Sequence, residues 1–181
     1  MKSQGGILKN SAKECAFIAV FSALLIAVQF ALSFVPGVEL VTVLLVSYSF
    51  AMGWKRGMLS ATAFSILRQL VFGFYPLVLI LYLVYFNFLV ACFGLLGKVI
   101  KRVGAFLPLI VVIACVCTAL FTITDNILTP LWYGYGAKAT RLYFTASLTF
   151  MIPQVICTAV SVTVLFFPLY KIFQLLKEKL V

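Results

Sequence analysis

The stretch Cys15-Ala-Phe-Ile-Ala-Val-Phe-Ser-Ala-Leu-Leu-Ile-Ala-Val-Gln-Phe-Ala-Leu-Ser-Phe-Val35 carries no charged side chain and is closed by Pro36-Gly37. A helix that crosses the hydrocarbon core of a bilayer needs about 20 apolar residues, and this stretch is long enough to do so. Five further apolar runs follow it: about Val38 to Gly53, Met58 to Phe74, Leu77 to Gly97, Ala105 to Asn126, and Leu142 to Tyr170. The last is interrupted by Pro153 and Pro168, and a basic, amphipathic tail over 171–181 fits an inner membrane surface. The expected fold is an all-α membrane protein of six transmembrane helices forming one integral membrane domain over 1–181.

Composition points the same way. Of 181 residues, 65% are hydrophobic and 10% charged, with a mean hydropathy of +1.20. A soluble domain has roughly half its residues apolar and about a quarter charged. The excess here cannot be hidden in a core of this size, so lipid is the expected solvent. The first run is too long, and its end too poor in small residues, for a cleavable signal peptide.

The net charge of +10 does not imply a nucleic-acid partner, because the basic residues sit in short connectors rather than on one face. Counted by alternate connectors, one side collects Lys2, Lys9, Lys13, Lys55, Arg56, Lys98, Lys101, Arg102, Lys171, Lys177 and Lys179, and the other only Lys138 and Arg141. Short cytoplasmic loops concentrate Lys and Arg, so both termini are expected to be cytoplasmic. The outer connectors read as Pro36-Gly37, Tyr75-Pro76 and a longer segment, Ile127–Arg141, whose aromatics and glycines suit either a lid or a belt at the headgroups.

Ionisable groups inside a membrane are costly and are functional candidates for that reason. Arg68 lies ten residues beyond Met58, about 15 Å along a helix, which puts it at mid-depth or in the outer half. Glu39 and Asp125 fall at outer helix ends, where the three could meet as a site or as a structural ion-pair network. Gln29, Gln69, Asn87, Asn126 and Gln154 supply polar company at similar depth. Arginine offers two parallel donors to a carboxylate or phosphate, and Trp132 and Tyr133 could cover a flat ring. The expected substrate site is therefore Arg68, Gln69, Asn87, Asp125, Asn126, Trp132 and Gln154, for a small, partly anionic or amide-bearing molecule. Pro153 should free the Thr149 carbonyl and kink its helix beside Gln154.

Several chemistries are not expected. The chain has no histidine and only four acidic residues, which leaves no acid–base or nucleophilic catalyst. The cysteines Cys15, Cys92, Cys115, Cys117 and Cys157 read as small packing residues rather than metal ligands. Gly94-Leu-Leu-Gly97-Lys98 only echoes a phosphate-binding loop. Neither enzymatic activity, nor a cofactor, nor a metal is expected, and any energy for transport must come from elsewhere.

Along the first helix Ala19, Ala23, Ala27 and Ala31 recur every four residues, with Ala12 and Ala16 continuing the series. Such a flat stripe lets another helix approach closely. With this stripe, six helices and the segment Ser22-Ala-Leu-Leu-Ile-Ala-Val-Gln-Phe-Ala-Leu-Ser-Phe-Val-Pro-Gly-Val-Glu-Leu40, the chain resembles the substrate-binding S components of energy-coupling factor (ECF) vitamin transporters. The resemblance implies capture of a small vitamin-like molecule from outside. It also implies docking through Ala19, Ala23 and Ala27 onto a transmembrane T subunit coupled to two cytoplasmic ATPases. The first outer loop, a gate in that family, reads as very short here, which makes Ile127–Arg141 the expected lid. A self-sufficient secondary carrier and a non-transport assembly subunit are the alternatives.

Overall fold

The computed structural model describes residues 3–35, 37–100 and 102–180, with side chains described from Ala12 to Lys179 within those ranges. Lys2, Pro36, Lys101 and Val181, and the side chain of Lys9, lie outside them. Six helices account for nearly all of the described chain: α1 (Ser3–Leu32), α2 (Val41–Met52), α3 (Trp54–Phe72), α4 (Pro76–Val99), α5 (Leu107–Tyr133) and α6 (Ala137–Leu180). No strand occurs among the described residues. Four stretches, Ala12–Leu32, Pro76–Val99, Leu107–Tyr133 and Ala137–Lys179, are long and apolar enough to cross a membrane. The chain is a multi-pass, all-helical membrane protein.

The bundle is organised around its shortest helix. α2 has 12 residues, about 18 Å of helix against a hydrocarbon core of about 30 Å. Every one of those residues is buried, as expected of a helix that is apolar on all sides. α6, α4, α3 and α1 surround it, with α5 touching more lightly. Two of its hydroxyls are satisfied within the helix, since Ser47 donates to the Val43 carbonyl and Ser49 to that of Leu45, each at 2.7 Å. Aromatic rings fill the space around it. Tyr48 stacks on Phe21 of α1 at 4.0 Å between centroids and meets Phe173 of α6 edge-on at 5.4 Å.

The two ends of the bundle differ in character. At one end the corner between α2 and α3 turns at Gly53, with Lys55 and Arg56 beside it. α4 closes onto this corner through two glycines. A Cβ on Gly94 would lie 2.4 Å from the Trp54 nitrogen, and one on Gly97 would lie 2.3 Å from the Phe50 carbonyl oxygen. The echo of a phosphate loop is thus a helix-packing device, in which hydrogen side chains admit a neighbouring backbone. Arg56 pairs with Glu14 of α1, and Lys177 of α6 donates to the Ala51 carbonyl at 2.8 Å. The opposite end carries the α1–α2, α3–α4 and α5–α6 connections, with Lys138 and Arg141 beside the last.

Two of these connections reverse the expected loop lengths. The segment Ile127–Arg141 is not a long loop. α5 runs through Pro130 to Tyr133, α6 begins at Ala137, and only Gly134, Tyr135 and Gly136 lie between them. A single proline in an apolar helix is tolerated where its surroundings compensate. Here the chain is stopped instead by Gly134, which takes the left-handed conformation of a C-cap at φ 65°. The first connection is longer than Pro36-Gly37. α1 ends at Leu32 and α2 starts at Val41. A residue before proline is steered out of the helical region, and Gly37 has a φ of +80°, so the breakers unwind the residues around them. α6 passes both Pro153 and Pro168 as one helix of 44 residues, about 66 Å long, and its last turns take up the basic tail.

Candidate functional site

Arg68 lies one turn short of the end of α3, and its side chain is held by neutral partners. Its Nε donates to Oε1 of Gln29 on α1 at 3.0 Å, and Nε2 of Gln29 in turn donates to the Tyr82 hydroxyl on α4 at 3.1 Å. The guanidinium lies 4.6 Å from the centroid of Phe72 and 4.4 Å from that of Tyr82. Phe72 is reached by the i, i+4 spacing of a helix. Two ring faces stabilise a cation by their quadrupoles, but they do not neutralise it. Nη1 is buried without a hydrogen-bond partner. The one ion pair among the described residues, Arg56–Glu14, is at the other end of the bundle.

Arg68 opens into a cavity of about 340 Å³ at the connector end, bounded by Gln29 and Leu32 of α1, Phe72 of α3, and Phe150 and Gln154 of α6. The α1–α2 connector forms the remaining wall through Ser33, Val35, Gly37, Val38 and Glu39. It is seated on α6 by close backbone contact. The Cys157 thiol lies 3.4 Å from the Glu39 carbonyl, and a Cβ on Gly37 would come within 2.8 Å of the Pro153 Cβ. The connector that lines the cavity is therefore the one over 33–35 and 37–40, not Ile127–Arg141. Glu39 accepts a hydrogen bond from the Thr42 hydroxyl on Oε1 at 2.7 Å and forms no ion pair among the described residues.

A second cavity of about 280 Å³ lies between α5 and α6, and Phe150 and Gln154 line both cavities. Asp125 faces this one. Its two oxygens are taken by the hydroxyls of Thr129 and Tyr143, each at 2.7 Å. Arg68, Glu39 and Asp125 therefore do not form one ionic network. Arg68 and Glu39 share a chamber without pairing, while Asp125 is hydrogen-bonded in the next one.

The other expected site residues are dispersed. Gln69, next to Arg68, points away and accepts the Tyr75 N–H at 3.2 Å, bracing the α3–α4 turn. Asn87 ties α4 to α3 by donating to the Thr62 hydroxyl at 3.1 Å and to the Leu83 carbonyl at 2.8 Å. Asn126 is buried with neither amide atom partnered. Trp132 is exposed on the last turn of α5, as is Tyr133. None of these lines either cavity. Of the expected set, Arg68 and Gln154 meet in the first cavity, and Asp125 and Gln154 in the second. Gln29, Glu39, Phe72, Tyr82 and Phe150 complete the picture.

The alanine series of α1 lies on the face away from the bundle. Ala12, Ala16, Ala19, Ala23, Ala27 and Ala31 are all exposed, whereas Phe21, Ser22 and Leu25 are buried against the neighbouring helices. Among the described residues, no cluster of Cys, Asp and Glu is placed to hold a metal ion. No protein-family model, no curated protein and no solved structure matches this chain.

Proposed function

We propose that the chain is the substrate-binding membrane subunit of an importer of the ECF type. In this reading it takes a small molecule into the Arg68 cavity from outside and docks by the alanine face of α1 on a transmembrane subunit driven by ATPases. The membrane topology is six helices with both termini cytoplasmic, with α2 sheltered inside the bundle and the Arg68 cavity in the outer half. The reading is carried by one combination: a half-buried cation without a counter-ion at the connector end of the bundle, and a small-residue face left unpacked along α1. A cavity of about 340 Å³ falls in the lower part of the range for small-molecule sites, roughly 300–1,000 Å³. Association of helices in lipid depends on close packing at small residues, and six exposed alanines in one row provide the surface for it.

The test separates docking from folding. Ala19→Trp, Ala23→Trp and Ala27→Trp each add a ring on the exposed face, where nothing within the chain is displaced. Uptake by cells and co-purification of the partner subunit should be lost, with the thermal stability of the isolated protein unchanged. If all three variants keep both uptake and partner, the alanine face is not a docking surface and the reading fails.

A further inference from the structure

We propose that the Arg68 cavity selects zwitterions: small molecules with an anionic group and a cationic amine on a short apolar body. This rests on the cavity being a substrate site and names the chemistry that site would accept. Arg68 and Glu39 both face the cavity, and neither is in an ion pair among the described residues. The groups that touch Arg68 are the Gln29 amide and two aromatic rings, and those beside the Glu39 carboxyl are the Thr42 hydroxyl and the Gln154 amide. All are neutral, so neither group has a counter-charge, and burial pushes the Glu39 carboxyl above its ordinary range until a cation arrives. Removing a charge from water without pairing it is costly. That cost is recovered only when a ligand supplies both counter-charges.

The same arrangement works against other ligands. A simple anion would satisfy Arg68 but face the Glu39 carboxylate, and a simple cation would face the guanidinium. Discrimination between partners commonly uses such a clash alongside attraction. Phe72, Phe150 and Val38 line the same cavity, which suits a short apolar body. Thr42 fixes one oxygen of Glu39, and the two rings fix the plane of Arg68, so both ends of the ligand would meet pre-oriented partners. Glu39 thereby becomes a specificity residue, and Arg68 the anchor.

The experiment uses the full-length protein purified in detergent, with ligand-induced thermal stabilisation as the readout. The probes are the common free amino acids with γ-aminobutyrate and ε-aminocaproate, each compared with its N-acetyl and its amide derivative at millimolar concentration. The proposal expects some of the free zwitterions to stabilise the protein, and their N-acetyl and amide derivatives to fail. Glu39→Gln should weaken the response to those zwitterions about tenfold and let the N-acetyl forms bind as well as they do. Arg68→Gln should lose the response to all, as expected for loss of a charge-assisted contact. Without probe, Glu39→Gln should melt no lower than the wild type, since no ion pair is lost and the amide oxygen can still accept from Thr42. Arg68→Gln also gives up the Gln29 bond and two ring contacts, so its response is read on protein that stays monodisperse. N-acetyl or amide forms that bind the wild type as tightly as the free zwitterions would overturn the proposal, as would stabilisation by no zwitterion. So would equal selectivity in Glu39→Gln. Selective zwitterion binding without a partner subunit would leave this inference standing and remove the importer reading, so the two failures are distinguishable.

Discussion

Replacing Gly37 by alanine tests the way the α1–α2 connector closes the cavity. The new methyl would sit 2.8 Å from the Pro153 Cβ, and the backbone would have to hold a φ of +80°. A left-handed conformation costs a residue with a side chain about 1–2 kcal/mol, and overpacking at a tight contact about 1–3 kcal/mol. Together these predict a loss of about 2–5 kcal/mol, or a fall in melting temperature of about 4–20 °C for a chain of this size. The assay is thermal unfolding in detergent, with Gly136→Ala as the control. Gly136 has open space around it and no positive φ, so its alanine variant should stay within about 0.5 kcal/mol of wild type. If strain is relieved by lifting the connector, the Cys157 thiol, now against the Glu39 carbonyl at 3.4 Å, becomes faster to label in a single-cysteine background. The reasoning is refuted if Gly37→Ala matches Gly136→Ala in both melting and labelling.

Gly97→Ala should destabilise by about 1–3 kcal/mol or more, because its Cβ would meet the Phe50 carbonyl oxygen at 2.3 Å and backbone yields less readily than side chain. Unfolding in detergent would show this, and a neutral result would mean that α4 does not pack on the α2–α3 corner as described. Arg68→Lys keeps the charge but loses the planar stack between Phe72 and Tyr82 and the Nε bond to Gln29. It should therefore fail to restore ligand-induced stabilisation in the same assay. Glu14→Gln breaks the one ion pair among the described residues. As both side chains are partly exposed, the melting curve should register less than about 1 kcal/mol. Reporter fusions after Trp54, Lys101 and Val181 should read cytoplasmic and one near Gly136 external, as the basic residues require.

The helices were legible in the sequence because the feature that defines them, an uncharged apolar run, is local. α2 was legible as a short apolar run, but its burial on every side was not, because that depends on the helices packed around it. The connections were less legible, because they depend on which breakers act. Pro153 and Pro168 lie within α6 and Pro130 within α5, while Gly134 ends α5. A proline in an apolar helix can be compensated by its neighbours, and those neighbours are a tertiary fact. Arg68 stood out as an intramembrane charge, and Phe72 could be placed over it from the i, i+4 spacing alone. Tyr82 and Gln29 could not, since they arrive from α4 and α1. Glu39 was visible as an acid at a helix end, but its place on the Arg68 cavity follows from Gly37 and Glu39 lying against Pro153 and Cys157 of α6. Gln69 and Asn87 matched the expected depth, yet each is turned toward a hydrogen bond within the bundle.

The central claim is that this chain binds a small molecule and works through a partner. It is tested most directly by purifying the protein gently from its native membrane and identifying by mass spectrometry both the proteins and the small molecules that come with it. The account predicts a transmembrane partner together with ATPase subunits, and a retained small molecule that is lost from Arg68→Gln. Recovery of the chain with neither, from membranes in which it is abundant and folded, would contradict it.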